Sequence, residues 1–514
     1  MVTLRPMGES AVLAEVADLA AVTRLHAALA ADPLPGVDDL VPAARTVLVA
    51  FDPRRTSAAV VGAWVRAAER AVPDAAPPGP RVEVPVRYDG VDLVDTAELL
   101  GIRPDELVAR HRAAEWTVAF TGFAPGFAYL VSPDWPFDVP RLTRPRTRVP
   151  AGAVGLAGSF TGAYPRDTPG GWRLIASTDA VLFDPDAAEP VLLPPRARVR
   201  FVPARERVRV GAGDPAGGPS AAAATPSPHA TPSLRIVAPG PLATVQDLGR
   251  PGRASLGVAR SGALDREALR IANRLVGNAE SAAGIEITLG GFRARAEVDI
   301  WVAVTGALAD VSVDGRAADA YAPLLLSAGA ELSIAPARGG LRLYLAIRGG
   351  VDAPTALGSR ATDVLAGLGP APLRADSVVR SGSAVGEIPA IDGFPWSVPP
   401  SALDMVLGPG PRAAWFAPAA VDALVEVTWT VSPDLDRIGI RLDGPALARV
   451  RPEELPSEGM RPGAIQVPPH GRPVILLADG PVTGGYPVIG VVPDAALDAL
   501  AQVRPGDRVR FRRG

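Results

Sequence analysis

The sequence predicts a mainly β chain with α+β parts, in which two related halves follow one another. Two distant stretches carry the same cassette: VPAGAVGLAGSFTGAYP from Val149 to Pro165, and VPPHGRPVILLADGPVTGGYP from Val467 to Pro487. Each opens Val-Pro, passes through an apolar run and closes Thr-Gly-x-Tyr-Pro. Each is followed by a proline-containing segment that ends Val-Arg-Phe, at Phe201 and Phe511. Two matches in the same order point to a tandem pair of domains, not to a solenoid array. Between the halves, Gly211 to Ser233 has five prolines and no aromatic or large aliphatic residue. Such a segment buries too little apolar surface to offset its ordering entropy and reads as a flexible linker. As a coil it reaches roughly 25–30 Å, enough for two halves to meet.

The elements follow in order. SAVLAEV near the N-terminus reads as a strand and Ala17 to Ala31 as a helix. TVLVAFD (Thr46 to Asp52) is a second strand, and Ser57 to Val72 a second, amphipathic helix, giving a small α+β unit over 1–80. RVEVPVRYD alternates like a strand, and Asp92 to Ala114 holds two short helices. From Trp116 to Phe201, short strands between Gly/Pro turns suit a β-barrel, so 81–210 forms the second unit. After the linker, Leu234 to Val245 is strand and turn. Asp265 to Val276 is a helix with Asp265 as N-cap and Gly277-Asn278 as its stop. Ile285 to about Arg380 is rich in strands. FPWSVPPS (Phe394 to Ser401) separates a unit over 234–400 from a last, barrel-like unit over 401–514.

Composition excludes several classes of chemistry. The chain has 48% apolar residues and a net charge of −3, which gives no case for nucleic acid or an anionic membrane surface. No apolar stretch reaches spanning length, and MVTLRPMGESAVLAEV has no continuous apolar core of a signal peptide, so a cytoplasmic location is expected. There is no lysine and no cysteine. A P-loop, a lysine Schiff base, attached biotin, a thiol nucleophile and a thiolate metal site are therefore all excluded from this chain. Four histidines, one of them in the linker, make a multi-histidine metal site unexpected, and no metal ligand is assigned. Anion binding must rest on arginine forks and backbone amides.

The densest motif region runs from Val118 to Trp172. Gly126, Gly152, Gly162, Gly170 and Gly171 are among the glycines that let backbone approach a ligand there. Arg141, Arg144, Arg146 and Arg148 invite a carboxylate or a phosphate, and Arg141 and Arg146 lead because each follows a proline. Phe123, Phe127, Tyr129, Tyr164 and Trp172 either wall an apolar pocket or belong to a core. His111 is a general base, a hydrogen-bond donor to a substrate carbonyl, or a structural residue. In the second half, Gln246, Asp247 and Arg250 form a polar turn, and Ser457 opens a Gly-rich stretch. Gln466, Asp479 and Thr483 have no local structural explanation and are expected to bond substrate. Asp436-Arg437 reads as a local ion pair. His111, Gln466 and Asp479 form the expected catalytic set. Thr161 and Tyr164 of the first cassette, with Thr483, Gly484 and Tyr486 of the second, are expected to face one shared cleft.

These motifs resemble a family. GFAPGFAYL, VPAGAVGLAG, TGAYP and PGGW are similar to subunit 1 of the allophanate hydrolase/5-oxoprolinase group. QDLGR, GALD, DRIGIRL, GAIQVP, TGGYP and PGDRVRF are similar to its subunit 2. The chain therefore resembles a fusion of the two, within the 5-oxoprolinase/urea amidolyase family. This chain departs from the family's usual pattern at Ala153, Phe160 and Pro481-Val482. The resemblance implies cyclophilin-like β-barrels in both halves. It implies an ATP- and Mg2+-dependent hydrolase that opens 5-oxoproline to L-glutamate with a LamB/YcsF-type partner subunit. The substrate would be a small amide or lactam, and assembly into a homo-oligomer is expected. Two other family roles are the carboxyltransferase part of a biotin-dependent urea carboxylase, with biotin arriving on another chain, and inhibition of a histidine kinase.

Overall fold

The computed structural model describes residues 1–71, 79–204, 230–384, 386–390, 394–397, 400–451 and 453–514. The inferred linker lies outside the described residues up to 229. Its last residues, Thr231 to Ser233, already belong to the strand Thr231–Pro239.

The N-terminal unit is an antiparallel sheet in the order Thr3–Pro6, Ala11–Glu15, Thr46–Phe51, Val37–Pro42. Helices Leu19–Ala31 and Ala58–Ala71 cover one face, and Asp18 caps the first by accepting from the Ala21 N–H at 2.8 Å. The pleat sorts the side chains. Val12, Ala14, Val47 and Val49 pack on these helices, whereas Ala11, Leu13 and Leu48 pack on Met460, Leu476 and Val482 of the last unit. The sheet is thus buried on both faces. The strand Val37–Pro42 has no strand signal in the sequence, because Asp38-Asp39 interrupts its alternation.

Two barrels share one topology. In the first, Arg81–Val86 pairs parallel with Arg198–Pro203, and the sheet continues through Trp116–Thr121, Ala128–Val131, Phe160–Ala163, Ala153–Ala157 and Arg173–Ser177. In the last, Ala402–Pro409 pairs parallel with Arg508–Arg513. The order then runs Thr428–Leu435, Gly439–Asp443, Val474–Leu476, Ala464–Gln466 and Val488–Val491. The second barrel closes fully, and the first closes through the single bridge Arg87–Ser177. Each also carries a two-stranded flap, Arg146–Val149 with Thr168–Gly170, and Glu458–Gly459 with Thr483–Gly484. Even a core detail repeats. Trp116 Nε1 donates to the carbonyl of His111, and Trp429 Nε1 to that of Leu424, both at 3.0 Å. The repeated cassette is therefore the surviving trace of a duplicated barrel.

Between the barrels, a seven-stranded and a five-stranded sheet enclose the largest apolar core, which includes Ile236, Ile285, Phe292, Val304 and Leu345. Helix Arg266–Leu275 packs through Leu269, Ala272 and Leu275, with Asp265 accepting from the Ala268 N–H as the sequence predicts. The halves dock through backbone as well as side chains. Gly126 N–H donates to Leu256 O, Ala44 N–H to Ser457 O, and Asp39 accepts from the N–H groups of Gly252 and Ala254.

Candidate functional site

The GFAPGFAYL turn sits on the seam between the halves. Phe123 adopts a left-handed backbone conformation (φ 64°), costly for a non-glycine residue. Its N–H donates to Thr483 Oγ1 at 2.9 Å, so the second cassette holds the first half's turn in place. Gly122 is required there, since a Cβ would lie 2.3 Å from Thr483 Oγ1. The aromatic residues resolve toward core. The Phe127 ring meets Tyr164, Trp172 and Tyr129 edge to face at 5.0, 5.3 and 5.1 Å, and Tyr164 and Phe127 are almost wholly buried. Phe160 adds its ring to Tyr129 instead of offering a hydrogen bond. Burial lifts the Tyr129 hydroxyl to about 12, and the Ser457 side chain, facing it across the seam, opposes that shift. Gly152, Gly162 and Gly170 let strands and Tyr164 approach closely; a Cβ at Gly170 would lie 2.6 Å from the Tyr164 hydroxyl. Gly171 has no such close neighbour.

The two cassettes meet at Phe123, whose N–H bonds Thr483 and whose ring lies 6.3 Å from that of Tyr164. Their tyrosines differ, because Tyr164 is buried and Tyr486 is exposed. Gln466 is buried behind the second cassette and donates to Tyr486 O and to Met460 Sδ, with Gly484 packed against its amide.

The arginine cluster does not converge on one point. Arg146 donates to buried Asp92 at 2.6 Å, and Asp92 also accepts from the Leu174 N–H at 2.7 Å. Arg148 pairs with Asp167, while Arg141 and Arg144 are exposed. His111 lies fully inside the first barrel. Its Nδ1 is 2.8 Å from the Tyr88 hydroxyl and its Nε2 is 2.9 Å from Thr161 Oγ1. Thr161 donates to Gly155 O, so it accepts from Nε2–H, and Tyr88 donates to Nδ1. Burial holds the imidazole neutral, with its pKa lowered to about 3. His111 occupies the place that Leu424 takes in the second barrel.

A second nest, in the other half, gathers charge. Arg437 forks onto Asp479 at 2.9 and 3.0 Å and reaches Glu286 at 2.5 Å, all three buried. This corrects the expected local pair with Asp436, which instead accepts from the N–H groups of Ile438 and Gly439. Chain neighbours in a tight turn point apart, and burial rewards the long-range fork. Asp479 also accepts from Ser261 Oγ at 2.6 Å. Asp247 staples a turn, accepting from Gly249 N–H, Ser359 Oγ and Arg360 N–H.

Beside this network, three buried side chains reach the segment Ala361 to Asp363 with polar atoms left over. Gln246 Nε2 donates to Thr362 O at 2.9 Å, and its Oε1 has no partner. Arg250 donates to Ala361 O, and its Nε and Nη1 have none. Asp363 accepts from Ala366 N–H through Oδ1, and its Oδ2 is unpartnered. Arg166, just past the first cassette, adds an unpartnered Nη1 beside Gly367 and is electrostatically coupled to Asp363. Burial, then the charge of Asp479, raises the Asp363 carboxyl to about 7. Each buried group left unbonded costs about 1–3 kcal/mol, so this concentration calls for a partner such as water, an ion or a ligand. A cavity of about 300 Å3 has Arg437 and Val364 in its wall, but Gln246, Arg250 and Asp363 do not line it. Asp363 and Arg166 escape a reading of the sequence. A single Asp in a Gly-rich loop and an Arg after Tyr-Pro carry no local signal. No set of three or more metal-ligating side chains occurs among the described residues.

The two barrels and the seam between them belong to a carboxyltransferase-type module, as the family matches show. Residues 256–513 match the family model for carboxyltransferase domain, subdomain A and B, and residues 2–193 match that for subdomain C and D. The chain belongs to this family. It is 38% identical to the C-type subunit of 5-oxoprolinase from Escherichia coli (strain K12) over 287 residues, 54% of this chain and 90% of that protein. It is 47% identical to the B-type subunit of 5-oxoprolinase from Escherichia coli O157:H7 over 130 residues, 25% of this chain and 60% of that protein. Urea amidolyase of Lachancea kluyveri matches at 32% identity over 54% of this chain but only 17% of its own length. The crystal structure of TTHA0988 superposes over 100% of both chains with a TM-score of 0.85 at 34% identity. The fused arrangement with related barrels, expected from the sequence, is thus what the chain has. No described helix is long and apolar enough to cross a membrane.

Proposed function

We propose that this chain is the fused B- and C-type component of an ATP-dependent 5-oxoprolinase, which opens 5-oxoproline to L-glutamate together with a LamB/YcsF-type subunit. The observation that carries the reading is the unpartnered set at Ala361–Asp363. The free Nε and Nη1 of Arg250 form a fork suited to a carboxylate. Gln246 Oε1 is an acceptor suited to a lactam N–H. Asp363, poised near neutrality, can hold a proton against the ring oxygen or take one up as the ring opens. Arg437 and Asp479 fix the wall behind these groups. The lactam is resonance-stabilised, and ATP supplies the activation when bound. His111 serves as a structural residue of the first barrel in this reading, because both ring nitrogens are engaged within it.

The family's carboxyltransferase description supports a second reading, transfer of a carboxyl group from a biotin carried on another chain. One assembly experiment separates them. The purified chain is combined with its LamB/YcsF-type partner, ATP and 5-oxoproline, and glutamate and ADP are measured. Equimolar release of both supports the first reading. No glutamate, with carboxyl transfer from a supplied biotin carrier, replaces it with the second.

A further inference from the structure

A second concavity borders the N-terminal unit. A cleft of about 220 Å3 opens between the N-terminal unit and the last barrel. Arg5, Glu15, Arg45 and Thr46 line one side, and Arg412, Trp415, Arg451 and Glu458 line the other. Four guanidiniums thus face two carboxylates. Both carboxylates are already engaged from within. Arg412 forks onto Glu458 and reaches Glu15 at 3.2 Å, and Arg5 donates to Glu15 at 2.6 Å. Among the described residues, no carboxylate stands within ion-pair distance of Arg45 or Arg451. The Arg451 guanidinium instead rests over the Trp415 ring at 5.5 Å. At the floor of the cleft, the buried Thr46 Oγ1 has no hydrogen-bond partner. Excess positive charge, two uncommitted guanidiniums and an orphan hydroxyl in one concavity are the elements of a polyanion site.

We infer that this cleft binds the phosphate chain of a nucleoside di- or triphosphate. Arg45 and Arg451 close on its oxygens from the two rims, and Thr46 donates from the floor. Arg412, held by Glu458 and Glu15, acts as scaffold. The position suits a co-substrate. Ser457 lines the cleft, and the adjoining strand Glu458–Gly459 pairs with Thr483–Gly484 of the second cassette. The choice of a nucleotide over free polyphosphate rests on the 5-oxoprolinase reading; the polyanion site itself does not.

The test is equilibrium binding to the intact chain alone, without partner subunit or 5-oxoproline, using ATP, ADP, inorganic triphosphate and adenosine as probes. ATP and triphosphate are expected to bind and adenosine to fail. Arg45→Ala and Arg451→Ala, both at exposed rim positions, are each expected to weaken ATP binding by about tenfold. Thr46→Val should weaken it less. Triphosphate binding as tightly as ATP keeps the site and makes its ligand the phosphate chain alone. ATP binding that neither arginine change alters, or no binding of any phosphate compound, overturns the proposal. Because no turnover is measured, failure of the 5-oxoprolinase reading leaves these outcomes intact, and the converse also holds.

Discussion

The Phe123 N–H and Thr483 Oγ1 are joined by a 2.9 Å hydrogen bond across 360 residues of chain. That bond sets the second half's cassette against the first half's Gly-rich turn. It also ties the strained Phe123 conformation to docking of the halves, so the geometry of the turn reports on their assembly.

Gly122→Ala tests this coupling. The new Cβ would lie 2.3 Å from Thr483 Oγ1, and a β-branched side chain has few rotamers to retreat into. The expected cost is about 1–3 kcal/mol. Thr483→Ala in the same chain should recover part of it, giving a non-additive double-mutant cycle in denaturant unfolding. Strict additivity would show that the two residues are not in contact.

Arg250→Met separates binding from stability. The side chain keeps its approximate volume and loses a buried guanidinium with two unpartnered nitrogens. Stability is expected to fall by about 1–3 kcal/mol, because Ala361 O loses its donor and Asp363 a neighbouring positive charge. Affinity for 5-oxoproline in the assembled enzyme should fall at least about tenfold. A large loss of stability with unchanged affinity would make Arg250 purely structural.

His111→Leu imports the residue that the duplicate barrel uses at this place. In the parent, the imidazole is neutral when folded, with a pKa of about 3, against an ordinary value near 6.5 when unfolded. The unfolded chain therefore takes up the proton first as pH falls. Stability from this group is present above about pH 6.5 and is lost progressively below it. The leucine variant should show a flatter melting-temperature profile between pH 6.5 and 4, with turnover of the assembled enzyme preserved. Loss of turnover in a folded variant would restore the catalytic role expected from the sequence.

Asp363→Asn probes the opposite sign. Its folded pKa of about 7 exceeds the unfolded carboxylate value, so the folded state holds the extra proton. This contribution to stability is full at low pH and declines as pH rises from about 4 to 7. The asparagine variant should lack that decline in thermal melts. It should also lose the pH dependence of 5-oxoproline binding near neutrality, since a protonated Asp363 tolerates an incoming carboxylate better than an ionised one. A parent-like pH profile in the variant would assign the dependence to another group.

The sequence by itself determined the elements and their duplication. Strand alternation, the Asp265-capped helix and the twice-used Thr-Gly-x-Tyr-Pro cassette are local patterns, most of them written in periods of two and 3.6 residues. The cassettes also marked the seam, because glycine is needed wherever two backbones approach closely. The tertiary structure alone decided which polar residues converge. Arg437 passes over adjacent Asp436 for Asp479 and Glu286. Arg146 is taken by Asp92. His111 is sealed in a barrel, and Asp363 is brought beside Arg250. A charge chooses its partner by distance and desolvation in the folded state, and neither is encoded in the spacing of residues along the chain.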